Sequence, residues 1–199
     1  MQRQPNPGAT PLDQMRATQR AICAAIDALG QRNTFAHSGT LQGFIDPQIC
    51  IDPYGPLSLP LTPADADRII AAGRRASIGS QTLTGRVWEI ESSSISYGAP
   101  VFNQMVHIAL QATLAELGLG SVPGITAHPP RLVLYEAGSS CKSCAENPRT
   151  PGHFATMAIC LPSAHAGGGV LVSYDGVGKR FDCPSAQTSF ASWYLDTSY

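Results

Sequence analysis

The chain has neither a long apolar run nor an excess of charge of one sign. None of its apolar stretches approaches the roughly 18 residues of a membrane-spanning helix, so no membrane span is expected. Its 13 basic and 14 acidic residues nearly cancel, which leaves no basic surface for nucleic acid or for an anionic membrane. The segment 1–14 lacks the apolar core of a secretion signal. We therefore expect a cytoplasmic protein whose 6 cysteines are reduced thiols.

Sequence motifs of the common active sites are missing as well. The 5 histidines form no HExxH, HxH or HxD pattern, and the G-x-S-x-G motif of serine hydrolases does not occur. Cys141 and Cys144 form a C-x-x-C pair, but no second pair follows at the spacing of a zinc site. We expect these two cysteines to be thiols in a loop at the end of a strand. Residue patterns alone thus predict no complete active site.

What the chain does contain is many Gly and Pro residues within a moderately apolar sequence. Its 19 Gly and 16 Pro predict short elements joined by turns, and 43% hydrophobic residues suffice for a core. Helical spacing of apolar residues predicts helices at 11–29, 63–75 and 101–117. Strands are predicted at 86–91, 131–138, 153–162, 169–176, 179–183 and 190–196, with two or three more within 34–61. We expect a flexible tail at 1–9 and a single α+β domain at 10–199, with helices packed on one face of a mainly antiparallel sheet.

A specific pattern of short segments begins at residue 131. Its members are Leu134-Tyr135-Glu136, Thr150-Pro151-Gly152, Phe154, Ile159-Cys160-Leu161-Pro162-Ser163, His165, Gly167-Gly168, Phe181-Asp182 and Trp193-Tyr194-Leu195-Asp196. This pattern resembles fungal proteins with a prolyl-4-hydroxylase-like, Fe(II)/2-oxoglutarate-dependent oxygenase domain, and a weaker likeness reaches back to residue 35. The resemblance implies a distorted, incomplete double-stranded β-helix, also called a jelly roll.

The chemistry of that family depends on three metal ligands. Two histidines and a carboxylate hold iron and leave positions open for 2-oxoglutarate and oxygen. The resemblance puts Cys144 and Tyr199 at the histidine positions and Glu146 at the carboxylate position. It puts the strand with the basic residue that binds 2-oxoglutarate beyond Tyr199. A phenol with a pKa of about 10 is a poor ligand at neutral pH, so we expect no metal site and no cofactor.

Three hypotheses about function follow from the resemblance. The first is a pseudoenzyme that has lost the metal site and binds a small molecule or a partner chain. The second is a metal-independent isomerase or cyclase, in which Tyr135, Glu136 and Glu146 are acid–base candidates and Arg131 and Lys142 lie nearby. The third is an active oxygenase completed by a partner or by a longer chain. Only this third hypothesis requires Fe(II) and 2-oxoglutarate.

The strands that the resemblance places beyond Tyr199 also predict an open sheet edge near 190–196. Unpaired backbone groups there, with Phe190, Trp193 and Leu195 beside them, would favour self-association through that edge. The alternative is that the segment 34–61 folds back and fills the gap within one chain.

Overall fold

Short strands and two α-helices make up the described part of the chain. The structure, a computed structural model, describes residues 34–43, 46–76, 82–142 and 150–199. All elements given below belong to one compact unit, residues 35–199. The predicted tail at 1–9 and the predicted helix at 11–29 lie outside the described residues.

The strands agree with most of the sequence predictions. They are β1 (Ala36–Thr40), β2 (Cys50–Ile51), β3 (Gly55–Pro56), β4 (Arg74–Arg75), β5 (Thr82–Thr84), β6 (Val87–Ile90), β7 (Ile95–Ser96), β8 (Leu132–Tyr135), β9 (Ser140–Lys142), β10 (Ala155–Cys160), β11 (Val170–Tyr174), β12 (Val177–Phe181) and β13 (Ser189–Tyr194). The helices are α1 (Pro63–Ala72) and α2 (Ala99–Glu116), and a 3-10 turn spans Ser92–Ser94. Each predicted strand is confirmed within a few residues, whereas β4, β5, β7 and β9 were not predicted.

Helix α1 begins at a capping box and ends earlier than predicted. The Thr62 hydroxyl accepts a hydrogen bond from the Asp65 backbone N–H at 3.2 Å, and the Asp65 carboxylate accepts one from the Thr62 backbone N–H at 3.3 Å. These bonds satisfy two of the donors that a helix start leaves open. At Gly73 the backbone becomes extended, so Arg74 and Arg75 form β4 rather than the last turn of the helix.

Helix α2 places one stripe of side chains on a sheet. Met105, Ala109 and Thr113 are buried and recur every four residues, so they lie on one helix face. Ile108, which was predicted in this stripe, is 41% exposed because it projects from a neighbouring face. The helix ends in a Schellman motif at Gly118 (φ 72°), with the Leu119 N–H bonded to the Leu114 carbonyl at 2.7 Å.

The sheet under α2 has the order β1-β13-β10, and both of its pairings are antiparallel. Phe190 of β13 lies opposite Gly39 of β1 and Ile159 of β10, and its ring packs in a cluster with Met105 and Ala109 of α2. Strand β13 is therefore paired on both sides. The predicted open edge near 190–196 is wrong, because β1 folds back onto β13 as the alternative interpretation expected.

The remaining strands form four small sheets, with the orders β4-β6-β8, β3-β2-β7, β5-β9 and β11-β12. Ile69 of α1 packs with Ile90 of β6 and with Ile51 of β2 in a second core cluster. The two described helices thus contact different sheets, and the single helical face that was expected is not seen among the described residues. The predicted mixture of helices with mainly antiparallel strands is confirmed. Within the described residues, no helix has the length and apolar character needed to span a membrane.

Candidate functional site

The predicted site residues do not form one group among the described residues. Tyr135 ends β8, and Glu136 follows it directly. Lys142 is the last residue of β9, where its backbone pairs with Thr82 of β5. Cys144 and Glu146, which correspond to two of the family's metal ligands, lie outside the described residues.

Glu136 is held by two side chains of the neighbouring strand segment. The indole N–H of Trp88 donates to Glu136 Oε1 at 2.7 Å, and Arg86 Nη2 lies 2.6 Å from Glu136 Oε2. The Glu136 backbone N–H also bonds to the Arg86 carbonyl at 3.0 Å, so the β6–β8 ladder continues through this residue. Both carboxylate oxygens are therefore engaged in positioning β8 against β6.

Tyr135 points away from Glu136, because successive residues of an extended strand face opposite sides of the sheet. Leu134 lies on the Glu136 side, where it packs against the core cluster of Ile69 and Ile90. Tyr135 lies on the other side and is 48% exposed. The structure thus separates the two acid–base candidates that the sequence places next to each other.

A buried ion cluster lies on the same side of the sheet as Tyr135. Glu89 of β6 is only 6% exposed, and it accepts a hydrogen bond from Arg131 at the start of β8. Arg74 Nη2 of β4 lies 3.5 Å from Glu89 Oε2, and Arg74 also pairs with Glu91. Removing one partner of a buried ion pair leaves an uncompensated charge, so Glu89 and Arg131 depend on each other. Sequence patterning did not single out Glu89, since its burial follows from strand pairing rather than from local composition.

Tyr199 contributes to an apolar cluster. Its ring centroid lies 4.8 Å from that of Trp193, which is 3% exposed, and Tyr199 packs against the buried cluster that contains Trp193 and Val172. Tyr199, which the resemblance puts at the second histidine position, thus fills space among hydrophobic side chains.

Cys141 departs from two predictions. It lies in β9 opposite Leu83 of β5, because the chain stays extended after the turn at Gly138 instead of forming a loop. It is also disulfide-bonded, so it is not a reduced thiol. Cys50, Cys160 and Cys183 are free. Structural disulfides are typical of oxidising compartments. This bond therefore does not support the expected cytoplasmic location, which stays a prediction.

The described residues contain two cavities but no cluster of metal-binding side chains. No group of three or more His, Cys, Asp or Glu side chains suited to a metal occurs in the described ranges, which exclude Cys144 and Glu146. One cavity of about 200 Å³ is lined by residues 41–43 and 186–188. Another of about 400 Å³ lies between residues 50–55 and 93–96. Neither cavity is lined by Tyr135, Glu136 or Tyr199.

The structure also brings together a group that the sequence did not predict. Cys160 and Cys183 lie side by side, and His165 lies next to Cys183. The spacing of these residues along the sequence matches neither a metal-binding motif nor a redox motif. Their proximity follows only from the pairing of β10 with β13 and from the course of the loops after these strands.

Comparison of this chain with protein-family models, with curated proteins and with solved structures finds no match.

Proposed function

We propose that this chain is a degenerate relative of the 2-oxoglutarate oxygenases that binds a small molecule without iron. The proposed fold is an incomplete double-stranded β-helix, with β1 taking the place beside β13. The observation that carries the proposal is the packing of Tyr199 against Trp193 at 4.8 Å, where an active oxygenase would need an imidazole. The other histidine position of the resemblance carries Cys144, which also differs from the family pattern.

The proposed ligand surface is the side of the β6–β8 pair that carries Tyr135. Arg131, Val133 and Tyr135 alternate along one side of β8, and Val87 and Glu89 face the same side from β6. Val87 and Glu89 are buried, so the groups that a ligand can reach on this side are the Tyr135 phenol, the Arg131 guanidinium and the partly buried Val133. A few polar groups beside an apolar side chain are typical of sites for small organic ligands. Arg131 keeps its cationic group fixed there through Glu89, and a fixed guanidinium suits a carboxylate group of the ligand.

Binding without catalysis is favoured over the isomerase or cyclase hypothesis by the position of Glu136. A general acid or base must reach the reacting proton of its substrate. Glu136 faces the opposite side from Tyr135, and Trp88 and Arg86 occupy both of its oxygens. Glu136 therefore has no access to a ligand that contacts Tyr135.

The test is a thermal-shift titration with a panel of small carboxylic acids, including 2-oxoglutarate and succinate. We expect at least one acid to raise the Tm of the protein in a way that saturates with the concentration of the acid. Added Fe(II) should not change this Tm increase. Tyr135→Ala should weaken that binding about fivefold, which corresponds to the loss of a contact of about 1 kcal/mol. The matched control is Tyr174→Ala on β11, since Tyr174 is 46% exposed and lies in another sheet. The proposal fails if no acid shifts the Tm, or if both variants bind like the wild type.

A further inference from the structure

Two free cysteines from different strands meet next to His165. Cys160 is the last residue of β10 and pairs with Ser189 of β13. Cys183 follows β12 after one intervening residue, and both cysteines are free and half-buried. The segments that follow the two strands run against each other, because the Ser163 backbone N–H donates to the Ser185 carbonyl at 3.1 Å.

The polar groups of this cluster are close neighbours. The side chains of Cys160 and Cys183 are within hydrogen-bonding reach of each other, and the Ser189 side chain is within reach of Cys160. His165 Nε2 lies 3.0 Å from the Cys183 carbonyl oxygen, and His165 Nδ1 lies 2.8 Å from the Ser163 carbonyl oxygen.

These contacts distinguish the two thiols from each other. The hydrogen bond from Cys160 lowers the pKa of Cys183 to about 7, burial and Asp182 oppose this shift, and the charge of His165 adds to it. The same hydrogen bond raises the pKa of Cys160, and burial raises it further. Asp182 is itself paired with Arg180, whose Nε lies 3.2 Å from Asp182 Oδ1. At neutral pH Cys183 therefore carries a much larger thiolate fraction than Cys160, which keeps its proton.

We propose that Cys183 and Cys160 form a thiol–disulfide exchange site for low-mass disulfides, separate from the ligand surface on β8. The half-buried position of both sulfur atoms favours a compact reagent over a protein partner. A thiolate is the attacking species in such exchange, and a neighbouring thiol completes the reaction.

The reaction has two steps. The Cys183 thiolate first attacks one sulfur of the small disulfide, a Cys183–S–S–R bond forms, and RS⁻ leaves and takes a proton from water. Cys160 then loses its proton to water, and its sulfur attacks Cys183. This step forms the Cys160–Cys183 disulfide and expels the second RS⁻, which is protonated in turn. The two cysteines lose two electrons, and the small disulfide, which is the oxidant, gains them as two thiols.

The experiment treats the full chain with oxidised glutathione and maps disulfides by mass spectrometry of a non-reducing digest. We expect a Cys160–Cys183 crosslink in the wild type, with no lasting glutathione adduct on either residue. Cys160→Ser should stop the reaction after the first step and hold one glutathione on Cys183. Cys183→Ser should prevent the crosslink and leave Cys160 unmodified. Unchanged Tm values of the two variants confirm that they are folded.

The rate of the first step gives an independent readout in Cys160→Ser and in the wild type. In the wild type, Cys183 should react about threefold faster at pH 7 than a thiol of ordinary pKa, because its higher thiolate fraction outweighs its lower nucleophilicity. The internal reference is Cys50, which is also free and half-buried but lies in β2. The proposal is wrong if the wild type forms no Cys160–Cys183 crosslink, or if Cys183 reacts no faster than Cys50.

Discussion

At the scale of single residues, Asp65 combines the start of a helix with a buried charge. Its side chain is 1% exposed, yet it accepts hydrogen bonds from Thr62 and pairs with Arg68 of the same helix. Burial raises the pKa of Asp65, but the hydrogen bonds from Thr62 and Ser58 and the charge of Arg68 outweigh burial and bring the pKa below 3.8. The ionised form is therefore the one that stabilises the folded chain.

Replacing Asp65 should change stability in a pH-dependent way. Because the folded pKa lies below the unfolded value of 3.8, the stabilisation is complete above that pH and is lost as the pH falls through the folded pKa. We expect Asp65→Asn to lower the free energy of unfolding by about 1 kcal/mol at pH 7, the usual size of a capping contribution. The loss should shrink as the pH falls below 3.8.

Urea unfolding at neutral and acidic pH measures this difference. Asp67→Asn is the matched control, because Asp67 lies on the exposed side of α1. A loss that is equal at both pH values, or equal in both variants, would contradict the assignment of Asp65 as a charged cap.

At the scale of secondary structure, the close approach of β1 to β13 depends on Gly39. A Cβ atom added to Gly39 would lie 2.8 Å from the ring of Phe190, which is 4% exposed and packed under α2. That ring has little room to move, since Met105 and Ala109 pack against it. The absence of a side chain at Gly39 therefore lets β1 fill the position beside β13.

Gly39→Ala should destabilise the chain by about 1–3 kcal/mol, the usual cost of overpacking a core. Gly178→Ala is the control within a strand, because its added Cβ would lie 3.6 Å from Leu171, an ordinary contact distance. Chemical denaturation should show a lower midpoint for Gly39→Ala alone. Combining it with Phe190→Leu should recover part of the loss, and simple additivity of the two changes would argue against a direct clash.

The elements also show which part of the fold the sequence could predict. Strands such as Ala155–Cys160 and helix Ala99–Glu116 were found because their signals are local: alternation, helical spacing, Pro in the first turn and Gly at the end. The sequence favoured an open edge at β13 and gave the pairing with the segment 34–61 only as the alternative, because contacts between distant segments leave no local pattern. The short strands β5 and β9 were missed, since two or three residues are too few for a periodicity.

At the scale of the whole molecule, the sequence likewise does not predict which residues of the candidate sites lie close together in the fold. Tyr135 and Glu136 were named together because they are adjacent in sequence, and strand geometry sends them to opposite sides of the sheet. Cys160 and Cys183 were set aside because their spacing matches no motif, and the fold places them in contact. The assignment of Tyr199 to a ligand position came from the resemblance, and its packing on Trp193 was visible only in the structure.

The most direct test of the central claim, that this chain works without iron, is an anaerobic calorimetric titration of the full chain with Fe(II) in the presence of 2-oxoglutarate. The same samples are then exposed to oxygen and assayed for succinate. We expect no saturable Fe(II) binding and no succinate, and the same result for Tyr199→Phe, because the Tyr199 ring acts in packing against Trp193. Binding of one Fe(II) per wild-type chain with release of succinate, lost in Tyr199→Phe, would contradict the account.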